Sequence, residues 1–147
     1  MLNTMLIEFY ERDITQLIEE VNSFKNETDL WRTEGTIKNS SGNLVLHIIG
    51  GMKHHIGATL AKTGYVRNRE QEFQQKNVPK DELIAGLRDL IELIKQTLGK
   101  LSATDMEADF PAFFDRPGTS VQYVLIQLSL HLNYHRGQVN YLRRLLM

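Results

Sequence analysis

Apolar residues return every three or four positions in four separate stretches of this chain, and no stretch alternates apolar with polar residues long enough to make a convincing strand. That period belongs to the helix, and it fixes the face each segment must hide. Ile7, Tyr10, Ile14, Leu17, Val21 and Phe24, set among charges such as Glu8, Glu11, Arg12, Glu19 and Glu20, predict a first helix from about Asn3 to Asn26. Leu44, His47, Ile48, Gly51 and His55 line one side of a second, from about Gly42 to Lys62, with Ser40 or Ser41 as cap and Gly64 as stop. Gly50, Gly51 and Gly57 each lower its helix propensity by up to about 1 kcal/mol, and they remove side chains where another backbone can approach. Leu83, Leu87, Leu90, Ile94, Leu98 and Leu101 predict a third helix, opened by Pro79-Lys80-Asp81-Glu82 with negative charge in its first turn. A fourth starts at Thr119 or Ser120 and turns Val121, Val124, Leu125, Leu128, Leu132, Val139, Leu142 and Leu146 inward.

Between these stretches the chain is polar or broken. Asn26 to Ser40 carries one large apolar group, Trp31; Tyr65 to Pro79 reads as a polar crossover that buries little beyond Phe73 and Val78. Ser102 to Gly118 is broken by Pro111 and Pro117, and its Phe110, Phe113 and Phe114 read as a loop anchor or dimer contact. Four amphipathic helices without strands predict an all-α protein, helix packed on helix around one core. The two crossovers after the second and third helices are longer than simple hairpins need, so at least one long overhand connection is permitted. At 147 residues, 41% of them hydrophobic, the chain has the size and apolar content of one globular domain spanning 1–147.

Charge and cysteine usage remove several function classes. Lys and Arg number 17 against 18 Asp and Glu, a net charge of −1, so no strong field draws nucleic acid or an anionic membrane. The absence of cysteine excludes disulfides, thiolate zinc sites and a thiol nucleophile belonging to the chain. No apolar run reaches the roughly 18 residues of a membrane span, and Met1 to Glu8 lacks the basic flank of a secretory signal, so a cytoplasmic protein is expected.

The five histidines fall in two predicted helices: His47, His54 and His55 in the second, His131 and His135 in the fourth. His131 and His135 stand on the stripe of Leu128, Leu132 and Val139, so both imidazoles are expected to face the core, one turn apart. Two residues four apart lie about 6 Å apart along the helix axis and can converge on one ion at roughly 2.0 to 2.1 Å. A third ligand must come from another helix. His47 fits, since it also lies on an inward stripe, while His54, on the same side, and His55, rotated further round, are the alternatives. Three neutral imidazoles leave a coordination position open to water or substrate. Taken singly, each histidine also suits a hydrogen-bonded core position.

The run His131-Leu132-Asn133-Tyr134-His135-Arg136-Gly137-Gln138, with an upstream histidine in Leu44-Val45-Leu46-His47-Ile48, resembles the DinB/YfiT-like superfamily over essentially the whole chain. The resemblance implies a four-helix bundle in an up-down-down-up arrangement, with a divalent metal, zinc or nickel, held by His47, His131 and His135. It further implies frequent homodimers. Members with known activity include thiol-dependent S-transferases and a thiol-dependent isomerase, and others are assigned to metal-dependent hydrolysis.

Two chemistries follow for a small-molecule substrate. A metal-bound water gives hydrolysis but needs a general base, and no His-Glu-x-x-His motif supplies one; His54 and His55 are the obvious titrating neighbours. A low-molecular-weight thiol bound as thiolate asks less of a cysteine-free chain. The remaining class is a non-enzymatic, metal-binding or structural homodimer. Around the histidines, Gln138 is placed to orient an imidazole or else is exposed, Gly137 to admit a neighbouring helix, and Arg136 and Arg143 to pair or be solvated at a helix edge. Asp13 interrupts the first stripe and reads as structural or interfacial.

Overall fold

A computed structural model describes residues 1–111, 113 and 116–147. Six α-helices form, with a 3₁₀ turn and a π-helical segment: α1 (Leu2–Asn22), the 3₁₀ turn Glu27–Trp31, α2 (Ser41–Met52) running into the π-helix Lys53–Leu60, α3 (Arg69–Gln74), α4 (Lys80–Gly99), α5 (Ala103–Glu107) and α6 (Val121–Leu146). Among the described residues there is no strand, only the isolated bridges Asp109 to Ser120 and Phe113 to Arg116. The protein is all-helical, as the periodicity requires. None of the described helices is long and apolar enough to cross a membrane.

Side chains that bond orphan backbone N–H groups set the starts of several helices. Ser40 accepts from the Asn43 amide at the head of α2, Asn68 from Gln71 at α3, and Ser120 from Tyr123 at α6. Ser102 and Asp105 form a reciprocal capping box on α5. The short helices α3 and α5 lie within the stretches expected to be connections, because five or six residues cannot display an apolar stripe.

The core is largely the predicted one, except that Ile7 and Leu101, expected inward, are half-buried while Leu6 and Leu30 are buried. Tyr10, Ile14, Leu17 and Val21 of α1 meet Leu83, Leu87, Leu90, Ile94 and Leu98 of α4 and Val124, Leu125, Leu132 and Val139 of α6, all buried. Leu146 alone of the α6 set is only half-buried. Asn3 of α1 donates to the Leu98 and Leu101 carbonyls, and Lys80 at the other end of α4 donates to those of Asn22 and Phe24. Tyr10 donates to the Leu125 carbonyl at 2.5 Å, and Arg143 pairs with Glu20 at 2.7 Å, so α1 and α6 are stitched near both ends. The buried Asp13 accepts from Asn133 and Arg12, with Arg136 Nε 4.0 Å away, which makes it a structural link. Helix α2 packs on α3, α4 and α6.

The second predicted helix departs from expectation at Lys53, where the hydrogen bonds widen from i→i+4 to i→i+5; Ala61 N–H, for instance, donates to Ile56. A wider turn advances each residue through a smaller angle, which swings His55 toward the His47 side and buries it, while His54 is left half-buried beside it. Phe110 and Phe113 are buried and stack edge-on with centroids 6.1 Å apart, anchoring their loop as predicted. Phe114, the third aromatic of that group, lies outside the described residues.

Candidate metal centre

His47 stands in the second turn of α2, and His131 and His135 stand one turn apart on α6. Their ligand nitrogens lie within 4.8 Å of one another. Nε2 of His131 is 2.9 Å from Nε2 of His135 and 3.4 Å from Nε2 of His47. The cluster is not sealed in the core, which corrects the expectation that both α6 imidazoles face inward. His47 is buried, His135 half-buried and His131 exposed. The reason is local: Leu132 and Val139 take the inward positions, leaving His131 and His135 on the flank of α6 beside α2.

The outer nitrogens of two rings are tied down. His47 Nδ1 donates to Glu72 Oε1 at 3.0 Å, and a carboxylate can only accept, so the proton of neutral His47 sits on Nδ1 and Nε2 presents a lone pair. Arg67 Nη2 is 3.4 Å from the same Nδ1 but makes its shorter bond, 2.9 Å, to Glu72 Oε1, while its Nε donates to Oε2 at 2.8 Å. His135 Nδ1 donates to Gln138 Oε1 at 2.7 Å, which aims a second lone pair inward. Gln138 therefore orients an imidazole.

Two lone pairs now face His131 Nε2, and that nitrogen can carry one proton between them. A cation answers that shortage. Nitrogens each about 2.0 to 2.1 Å from one divalent ion stand roughly 3 Å apart, close to the two spacings above, so the three residues fit a metal. Removal from water, then His135 and His47, push the His131 imidazole down to about 4. Desolvation also lowers His47, against the pull of Glu72, and His135. All three are neutral near pH 7 and ready to ligate.

Glu72 was not legible in the sequence, where it stands in a run of polar residues. It is 6% exposed, held on α3 and packed into the gap left by Gly50; a Cβ on Gly50 would lie 2.0 Å from Glu72 Oε2. The expected close approach at this glycine is thus made by a carboxylate rather than a backbone. Gly51 differs: its Cβ position lies 3.4 Å from Arg67 Nη2, an ordinary contact that a side chain could make. An unexplained Gly-Gly pair inside an amphipathic helix was the available signal. Gly137, by contrast, has no described residue within 4 Å of its Cβ position, so it does not serve the close helix approach expected of it.

His54 and His55 do not join the cluster of nitrogens. Instead His55 stacks on Phe113 at 5.0 Å and lines a cavity of about 240 Å³ with His47, His131, Arg67, Arg69 and Arg116. Burial, then His54 and the nearby arginine, push His55 down to about 4. A second cavity, about 550 Å³, opens on the His135 side between Leu44, Tyr134, Tyr141, Leu142 and Leu145. The histidine cluster therefore borders both.

A search of curated proteins finds no match to the chain. A family model described as "Protein of unknown function (DUF1572)" matches residues 3–147. With nearly every residue inside that match, the chain belongs to the DUF1572 family.

Proposed function

We propose that this protein is a metal-dependent enzyme of the DinB/YfiT-like type, in which His47, His131 and His135 hold a zinc or nickel ion, and that it joins a low-molecular-weight thiol to a small electrophile. The observation that carries the reading is the convergence of three Nε2 atoms whose lone pairs are aimed by Glu72 and Gln138. When bound, the ion would supply positive charge that favours the deprotonated form of a thiol or of water. The chain supplies the rest: Glu72 and Gln138 hold the Nδ1 protons, the exposed flank of His131 keeps the cluster accessible, and two cavities receive reactants.

Thiol transfer asks little more of the protein. The sulfur–carbon bond forms as the carbon–leaving-group bond breaks, the leaving group departs with the bonding pair, and the thiol proton passes to solvent. Hydrolysis needs a general base, and His55, the nearest further imidazole, is too weakly basic at about 4 to serve well. Transfer is therefore preferred.

The same reading makes residues 1–147 one bundle domain running up-down-down-up. The bonds at both ends of α1 and α4 support an antiparallel pair, and those from Tyr10 to Leu125 and Glu20 to Arg143 support a parallel α1 and α6. Approach of Ile49 to Gly86 and of Gly57 to Leu93 supports a parallel α2 and α4. A homodimer fits the outward Ile126 and Leu130 of α6, which line neither cavity.

The test uses tag-free protein, analysed for metal and assayed with a panel of small thiols against chlorodinitrobenzene. The expected result is bound zinc or nickel and a conjugation rate that His131→Ala abolishes and added metal does not restore. Unchanged turnover in that variant overturns the reading. A metal whose chelation lowers the melting temperature steeply, with no turnover in any arm, assigns the ion a structural role instead.

A further inference from the structure

The cavity on the His47 and His131 side differs in kind from the one on the His135 side. Its lining includes three arginines, Arg67, Arg69 and Arg116, and, among the described residues, no acidic one. Arg67 is neutralised by its paired bonds to Glu72. Among the described residues Arg69 and Arg116 make no ion pair. Each is instead laid over an aromatic ring, Arg69 on Phe73 at 5.5 Å and Arg116 on Tyr123 at 5.7 Å, with the Tyr123 hydroxyl 3.5 Å from Arg116 Nη1. Both are exposed, and stacking of this kind fixes a guanidinium plane while leaving its N–H groups able to donate to an anion. The two come from different elements, the first turn of α3 and the connection before α6, and meet at one cavity.

We infer that this cavity is an anion subsite serving the histidine cluster, in which Arg69 and Arg116 hold the carboxylate or phosphate of a small reactant whose reacting atom faces His47 and His131. The assignment rests on the proposed metal-dependent transfer and names the chemistry of one partner in it. A volume of about 240 Å³ takes one short acidic molecule or one acidic arm. The wider cavity, about 550 Å³ and lined mostly by apolar and aromatic side chains such as Leu44, Tyr134, Tyr141 and Leu145 together with Lys38 and Gln138, takes a larger, mainly apolar co-reactant that meets the cluster at His135. Two separate openings onto one cluster suit a reaction of two organic molecules, whereas hydrolysis needs room for only one.

The acid group can belong to the thiol or to the other reactant, and the experiment separates them. Protein loaded with Co²⁺ is titrated with 3-mercaptopropionate and with 3-mercapto-1-propanol, following the sulfur-to-cobalt charge-transfer band. The acid thiol is expected to bind about tenfold more tightly or better, as one charge-assisted hydrogen bond implies. Arg69→Gln with Arg116→Gln should erase that preference while the cobalt d–d bands persist, which also shows the variant folded. Butyrate, which lacks sulfur, should displace the acid thiol where 1-butanol does not. Competition by butyrate without a preference between the thiols places the acid on the other reactant. Equal affinities together with no effect of butyrate overturn the subsite, as does a preference that survives the double substitution.

Failure of the metal reading shows itself separately, as absence of cobalt bands in the unsubstituted protein. Calorimetric titration of butyrate into metal-free protein then decides the subsite alone. Binding that requires Arg69 and Arg116 upholds it, and absence of binding ends it.

Discussion

At the scale of single residues, Glu72 governs how His47 presents itself. Its carboxylate accepts from His47 Nδ1 and from two nitrogens of Arg67, and the space it occupies exists because residue 50 has no side chain. A carboxylate behind a ligating imidazole fixes the tautomer and raises the basicity of the inner nitrogen. Glu72→Gln keeps an acceptor but loses the charge, and its affinity for zinc is expected to fall about 10- to 100-fold. Gly50→Ala should do at least as much without altering any polar group, since its methyl must displace Oε2 from a position 2.0 Å away. Competition for zinc against a chromophoric chelator measures both. Wild-type affinity in Gly50→Ala, with Glu72 still in place, would detach the carboxylate from the metal.

At the scale of elements, the position of α3 matters more than its length suggests. Asn43, fully buried in the first turn of α2, donates to the carbonyls of Glu72 at 3.0 Å and Gln75 at 2.8 Å, and so clamps the end of α3 onto α2. Asn43→Ala leaves both carbonyls short of a donor; the buried one, of Glu72, costs about 1 to 3 kcal/mol, and the half-exposed one, of Gln75, less. A loss of roughly 2 to 4 kcal/mol in urea unfolding is expected, together with weaker zinc binding by a residue that touches no ligand. Loss of stability with zinc affinity unchanged would show that α3 does not carry Glu72 into place.

The sequence made some elements legible and hid others, for physical reasons. Helices α1, α4 and α6 announce themselves because a stripe repeated over 20 or more residues has no other use than burial. The π-helix leaves no mark, since a change from i→i+4 to i→i+5 bonding alters register and not composition. That hidden change moved His55 toward the His47 side. His47, His131 and His135 were legible because imidazoles stood where leucines were expected; Glu72, Arg69 and Arg116 were not, because charged residues in a polar stretch are ordinary.

On the scale of the whole molecule, the histidine cluster ties α2 to α6 across 84 positions of sequence. An ion held there binds the folded chain and finds no such site in the unfolded one, so it stabilises by mass action: about 2.7 kcal/mol at a free concentration 100 times its dissociation constant. For a chain of this size that is a rise of roughly 5 to 10 °C in melting temperature on adding zinc or nickel to metal-free protein, absent from His47→Ala. The pH dependence follows from the imidazoles. His131 and His55 lie at about 4 in the folded protein and near 6.5 when unfolded, so the unfolded chain takes up their protons first. Their contribution to metal-free stability is complete above about pH 6.5 and is lost as pH falls toward 4. Within the folded cluster all three imidazoles are held below their ordinary value, His131 at about 4, so the metal-induced rise should persist just below pH 6.5 and disappear toward pH 4. Differential scanning fluorimetry across that range, with and without metal, reads both effects. A rise that halves near pH 6.5 would mean that His131 titrates like a free imidazole, and that the three nitrogens do not enclose one another in solution.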